Sequence, residues 1–247
     1  MKRSIMILLG LSVLALVTVA CGITNDPLRA MGVIVGSGDV EQENREVLDF
    51  HTIVLEGSGR LHIVQTGEMG LIIEADDNVL RHLTSDVKDG VLTLGVERGK
   101  SLSIQNDVHY YINVDELRGV TIRGAGYVDM DGLNADSLEL VVEGSGDIEI
   151  ENLSVNLLEV RVPGSADIEL SGEAGQQSVA INGNAEYKAE ELQSDNTHVT
   201  INGSGDVRVA VSDELEVLIN GSGDVRYHGD PSVTEEINGS GSILSLD

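Results

Sequence analysis

Five carboxylates return at one position of a repeating pattern: Asp147, Asp167, Glu186, Asp206 and Asp224. Two places before each stands a hydroxyl or amide residue (Ser145, Ser165, Asn184, Ser204, Ser222), with a glycine or alanine between. Oxygen-rich side chains in a regular array could hold calcium, which takes several oxygen ligands, and Asp147, Asp167, Asp206 and Asp224 are the candidates. If the repeats stack, like charges ~4.8 Å apart repel by about 1 kcal/mol or more per pair near a surface. The alternative to a cation is that each carboxylate bonds its own turn backbone, with relief from Lys188, Arg208 and Arg226 two places on. The Gly-Ser-Gly-Asp order also differs from the nine-residue calcium-roll repeat, whose Asp comes one position later. The turn reading is therefore the expectation, and no metal or cofactor is assigned.

Catalysis finds little support in the same residues. The serines recur at one repeat position, whereas a nucleophile needs a single site with an oriented base. His51, His62, His82, His109, His198 and His228 are scattered without metal-ligand spacing, so packing or surface roles are expected. Asn202-Gly-Ser, Asn220-Gly-Ser and Asn238-Gly-Ser match glycosylation sequons, but they follow from the repeat and read as turns. A β-helical polysaccharide-active enzyme is the enzymatic alternative. The chain has no Trp, one Phe and five Tyr, which leaves few surfaces on which a sugar could stack. No catalytic residue is assigned.

The elements that must position these residues follow from the repeat. The first glycines of the Gly-x-Gly-like turns fall at 124, 144, 164, 183, 203, 221 and 239, in steps of 20, 20, 19, 20, 18 and 18. Around Gly144 one parity reads Leu138, Leu140, Val142, Gly144, Gly146, Ile148, Ile150, and around Gly203 it reads Val199, Ile201, Gly203, Gly205, Val207, Val209. Period two is one face of a strand. The glycines thus lie on the apolar face, and Ala166 and Ala185 replace the second glycine without adding polarity. Such a place is a sharp bend or a close approach of another backbone. The expected fold is all-β: a right-handed parallel β-helix, or solenoid, with 18–20-residue coils whose stacking makes a continuous core. An antiparallel β-sandwich is the alternative. Pro163 should remove one inter-strand donor.

Residues 33–115 read as an irregular N-terminal β region or cap, and 116–247 as the regular coils, with 33–247 forming one structural domain. Between Asp76 and Lys88, Val79, Leu80 and Leu83 stand at helical spacing, predicting one short helix or turn. Copies of the glycine turn at Gly36 and Gly57 fall outside the even steps. A final coil ending at Ser245-Leu246-Asp247 leaves end-to-end association of copies open.

The N-terminus sets the compartment. Lys2 and Arg3 precede an apolar run from Ile5 to Ala20, the order of a secretory signal peptide. Cys21, the only cysteine, follows Thr18-Val19-Ala20 and resembles the lipobox of bacterial lipoproteins, with Thr18 where that motif usually has Leu. The resemblance implies that residues 1–20 are removed, that Cys21 is lipidated, and that 21–32 tether the domain to a membrane. Removing 1–20 leaves 13 Lys+Arg against 42 Asp+Glu, a formal charge of −29. Nucleic-acid binding, which depends on phosphate neutralisation by Lys and Arg, is excluded on that charge.

The run Arg45-Glu46-Val47-Leu48-Asp49-Phe50-His51-Thr52-Ile53, then Glu56-Gly57-Ser58-Gly59, begins a further likeness. It continues through Glu74-Ala75-Asp76-Asp77-Asn78, Val87-Lys88-Asp89-Gly90-Val91-Leu92 and the later Gly-Ser-Gly-Asp series. Together these resemble the bacterial family called the putative auto-transporter adhesin, head GIN domain, over roughly residues 45 to 230. The resemblance implies an exported β-helical domain, often carried on lipoproteins, with an adhesin label and no catalytic residues to transfer. The expectation is a lipid-anchored module of the cell envelope that binds or scaffolds, its partner an unidentified surface protein or glycan. A calcium-dependent adhesive repeat is the competing expectation.

Overall fold

The computed structural model describes residues 32–104 and 106–247. The expected signal peptide, Cys21 and all of the expected tether except Gly32 lie outside the described residues.

From Gly119 onward the chain lays each lap in parallel on the one before. β10 (Gly119–Ile122) is followed by β11 (Ala125–Val142), β12 (Ser145–Val162), β13 (Ser165–Ile181), β14 (Asn184–Ile201) and β15 (Ser204–Ile219). The shorter β16 (Ser222–His228), β17 (Ser232–Ile237) and β18 (Ser240–Ser245) complete the stack. Each pairs in parallel with its neighbour, giving a β-solenoid of about six turns. The sandwich alternative fails because successive laps never reverse direction.

Each lap turns at the glycine seam between strands and again inside the long strand. The first bend is the glycine turn, and its cause is a close approach. A Cβ on Gly203 would strike the carbonyl oxygen of Gly183 one lap below and lie 2.6 Å from that of Asn182. The same collision meets Gly144, Gly164, Gly183, Gly221 and Gly239 in turn. Gly57 lies beneath Gly124 in this column, although most of the cap is threaded between them. At the second small position the constraint varies by lap: a Cβ on Gly205 would sit 3.0 Å from Ala185 O and Ile181 Cδ1, and Ala166 already occupies the equivalent place two laps earlier, whereas one on Gly223 or Gly241 would strike the carbonyl oxygen of the lap below. At Pro163 the missing donor is harmless. Elsewhere two N–H groups share one carbonyl, as Asn182 and Gly183 share Val162 O, whereas Gly164 alone serves Val142 O at 3.0 Å.

The second bend uses left-handed backbone at Gly132 (φ +88), Asn152 (φ +51) and Gly172 (φ +123); asparagine tolerates this conformation better than most residues. All differences in lap length are taken up on this side. Register shifts fall at Ile150/Leu153, Glu169/Ser171, Ala189/Gln193 and Ser194/Asn196, while Ser165, Asn184, Ser204, Ser222 and Ser240 stay in step.

Inside the solenoid, stacked rows such as Val128, Ile148, Ile168, Tyr187, Val207 and Val225 are buried. Each such aliphatic side chain contributes about 1.5–3 kcal/mol over leaving it exposed. Tyr187 brings a hydroxyl into this core, and the sequence answers it. Gln177, in a row that runs Leu158, Gln177, Thr197, Leu215, accepts from the phenol at 2.5 Å and donates to Ser194 at 3.2 Å. Ser194 in turn donates to Ala210 O at 3.0 Å.

The N-terminal region begins as solenoid and ends as cap. β3 (Thr52–Leu55) pairs in parallel with β10 and with β7 (Val91–Val96); β4 (Ser58–Gln65) does so with β11 and with β9 (His109–Val114). Antiparallel strands close the end: β5 (Gly70–Asp76) with β2 (Val40–Arg45) and with β9, and β6 (Leu83–Lys88) with β7. β1 (Val33–Val35) and β8 (Ser101–Ser103) form a separate parallel pair. The single short helix α1 among the described residues covers only Asp77–Leu80. Leu83, grouped with it by spacing, starts β6, because Asp89 and Gly90 both adopt left-handed backbone and fold β6 onto β7 as a tight hairpin.

Candidate functional site

The glycine bends, stacked in step, leave a groove of about 610 Å³ along the solenoid axis. Its floor is low because Ala166, Ala185, Gly205 and Gly223 carry almost no side chain there. The serine and asparagine column forms one wall, and Asp167, Glu186, Asp206 and Asp224 form the other. Period two puts both walls on the solvent side of the strand while the rows between fill the core.

The five recurring carboxylates do lie in one column: Asp147 faces Asp167, then Glu186, Asp206 and Asp224 in register. Their charge is balanced unevenly. Arg208 Nη1 reaches Glu186 at 3.1 Å, Lys188 Nζ reaches it at 3.7 Å, and Arg226 bridges Asp206 and Asp224 at 3.7 and 3.3 Å. Asp147 and Asp167 have Glu149 and Glu169 two places on instead. Neither forms an ion pair among the described residues. The expected bond from each carboxylate to its own turn is replaced at Asp224 by bonds to the next lap: Oδ1 accepts from Ser242 Oγ at 2.7 Å and from Ser242 N at 3.0 Å. The Ser242 hydroxyl bond, helped by nearby Arg226 and opposed by desolvation, holds the Asp224 carboxyl below its usual range. Among the described residues no group of three His, Cys, Asp or Glu side chains is arranged to hold a metal ion.

Beside the groove the turn asparagines form a ladder. Asn202, Asn220 and Asn238 each donate from Nδ2 to the Oδ1 of the asparagine one lap below, at 2.8, 2.8 and 3.1 Å. The sequon nitrogens at these three positions are therefore engaged as lap-to-lap donors.

The scattered histidines include two distinct groups. His82, His198 and His228 each pair with a nearby carboxylate, those of Glu97, Glu216 and Asp247. His62 and His109, 47 positions apart, come into contact on the outer face. Sequence reasoning missed that pair. The only trace was a shared polar parity, Arg60-x-His62 and His109-x-Tyr111, with nothing to reveal which strands would be neighbours.

The model of the family described as "Putative auto-transporter adhesin, head GIN domain" matches residues 49–231. No curated protein matches the chain. Among solved structures, a putative adhesin from Bacteroides fragilis is similar at a TM-score of 0.79 and 23% identity, covering 86% of this chain and all of that one. A putative adhesin from Parabacteroides distasonis gives 0.63 and 20%, covering 87% of this chain and all of its own. A protein of the same species described as a putative lipid binding protein gives 0.59 and 22% over the same shares. At these identities the likeness carries the fold alone. The family match spans most of the chain and includes the glycine seam from Gly57 to Gly221, and this protein belongs to the putative auto-transporter adhesin, head GIN domain family.

Proposed function

We propose that this protein is a lipid-anchored, non-catalytic binding and scaffold module of the cell envelope. The family and two of the three solved neighbours are named as putative adhesins and the third as a putative lipid binding protein, and an adhesin-like family suggests the cell surface or envelope. In this reading residues 1–20 direct export, Cys21 carries the lipid, 21–32 tether the domain, 33–115 cap it, and 116–247 display the binding surface. The observation that carries the reading is the axial groove. Its two polar walls keep constant register across successive laps, so an extended surface protein or glycan would meet the same hydroxyl, amide and carboxylate groups at each lap.

Two experiments test it. Palmitate labelling of wild type against Cys21→Ser should lose the lipid signal in the variant, and equal labelling would remove the anchor. Co-sedimentation of the purified domain with isolated cell envelopes should fall severalfold when Ser204→Trp and Ser222→Trp fill the groove. Unchanged sedimentation would move the binding surface elsewhere.

A further inference from the structure

His62 and His109 meet at the joint between cap and solenoid. β9 is that joint, since it pairs in parallel with β4 on one side and antiparallel with cap strand β5 on the other. Asp129 Oδ1, on β11, lies 2.6 Å from His62 Nδ1. His62 Nε2 lies 2.9 Å from His109 Nδ1. The ring centroids are 5.2 Å apart and the planes differ by 4°. That separation is no more than the hydrogen bond plus the two ring radii, so the imidazoles lie edge to edge in one plane. Tyr111 stacks on His62 with centroids 4.9 Å apart.

We propose that Asp129, His62 and His109 form a proton-operated latch between the cap and the coils. The 2.9 Å contact needs one donor and one acceptor. In the neutral state the Asp129 carboxylate takes the Nδ1–H of His62, which leaves the lone pair on Nε2 to accept from His109 Nδ1–H. One added proton is accommodated: it is taken up at His109 Nε2 while the Nδ1 proton passes across the contact to His62 Nε2, so that His62 becomes the imidazolium between carboxylate and neighbour and His109 now accepts on Nδ1. A second proton puts N–H groups on both facing nitrogens and like charges on both rings, and the bond is lost.

The surrounding charges shape the two steps. Asp129 on β11 and Glu74, the register partner of His109 on β5, favour the first proton. Arg60, two places before His62 on β4, opposes the second, although Asp107 holds it at 3.0 Å and it rests over the Tyr127 ring at 5.0 Å. Glu149 on the next lap is occupied by the Tyr127 hydroxyl. Coupled groups of this kind take up protons in two macroscopic steps, so the latch is closed with neutral or singly protonated rings and opens once acid has charged both. The inference does not depend on the groove.

Hydrogen exchange on the purified protein, corrected for the intrinsic pH dependence, tests it. Between pH 7.5 and 5, protection of β9 amides should fall about tenfold while β13 to β15 stay constant. In His109→Gln and in His62→Gln the pH dependence should disappear, because the amide keeps a donor and an acceptor at every pH. Nitrogen NMR of the wild-type imidazoles, which needs no variant, should show two separated steps at His62 and His109. Flat β9 protection in wild type, a single common step, or pH dependence that persists in the glutamine variants would overturn the latch.

Discussion

Asn202 stands between two asparagines: its Nδ2 donates to Asn182 Oδ1 at 2.8 Å, and its Oδ1 accepts from Asn220 Nδ2 at 2.8 Å. Aspartate at this place could still accept from above but could not donate below. Asn202→Asp should cost about 1 kcal/mol at pH 7, a fall in Tm of about 2–4 °C for a chain of this size. An unchanged melting curve would show that the ladder is ornamental to stability.

The two glycines of one bend should respond differently to a methyl group. In Gly203→Ala the new carbon meets backbone from the lap below, which cannot yield without opening the seam, and a loss of about 3 kcal/mol is expected. In Gly205→Ala it meets Ala185 O and a movable Ile181 methyl at 3.0 Å, and the loss should stay under about 1 kcal/mol. Chemical denaturation of the pair decides it; equal losses would refute the close-approach account.

The buried tyrosine makes a third case. Tyr187→Phe leaves Gln177 Oε1 without its 2.5 Å partner and should destabilise by about 1–3 kcal/mol. Adding Gln177→Leu brings in the residue type of Leu158 one lap below, while Thr197 one lap above keeps its 2.7 Å bond to Ser194, and the double variant should recover part of the loss. Strict additivity in the double-mutant cycle would mean that the two side chains do not act together.

Ionisation of the tyrosines gives a fourth. The Glu149 carboxylate accepts the Tyr127 hydroxyl and pushes this phenol up to about 12. A folded value above the unfolded 10.0 means that the bond stabilises fully below pH 10 and that the benefit is lost as the pH passes through about 12. Ultraviolet titration should show Tyr127 moving back toward 10 in Glu149→Gln. Burial pushes Tyr110 and Tyr187 higher still, so both should ionise only as the fold is lost.

Much of this architecture is legible in the amino-acid sequence alone, and the reasons are local. Strand parity needs only neighbouring residues, and it places Val142, Gly144, Gly146 and Ile148 on one face. A glycine that avoids a backbone collision in every lap leaves a mark at every lap. The second bend leaves a fainter mark, because Asn152 interrupts the two glycines, Gly132 and Gly172, and no common turn motif surrounds the three. Asp89-Gly90 does carry a hairpin signal, and the helical spacing of Val79, Leu80 and Leu83 obscures it. At the site, the carboxylate column follows from the repeat, whereas the Ser242 bonds to Asp224 require a neighbouring lap to be in place. The contact of His62 with His109 depends on a strand pairing across the cap, which no short window of sequence encodes.

Because the glycine seam keeps count while the opposite bend absorbs every extra residue, a lap could be added or removed with the seam still in step. The height of the molecule is then a matter of copy number, adjustable in increments of ~4.8 Å.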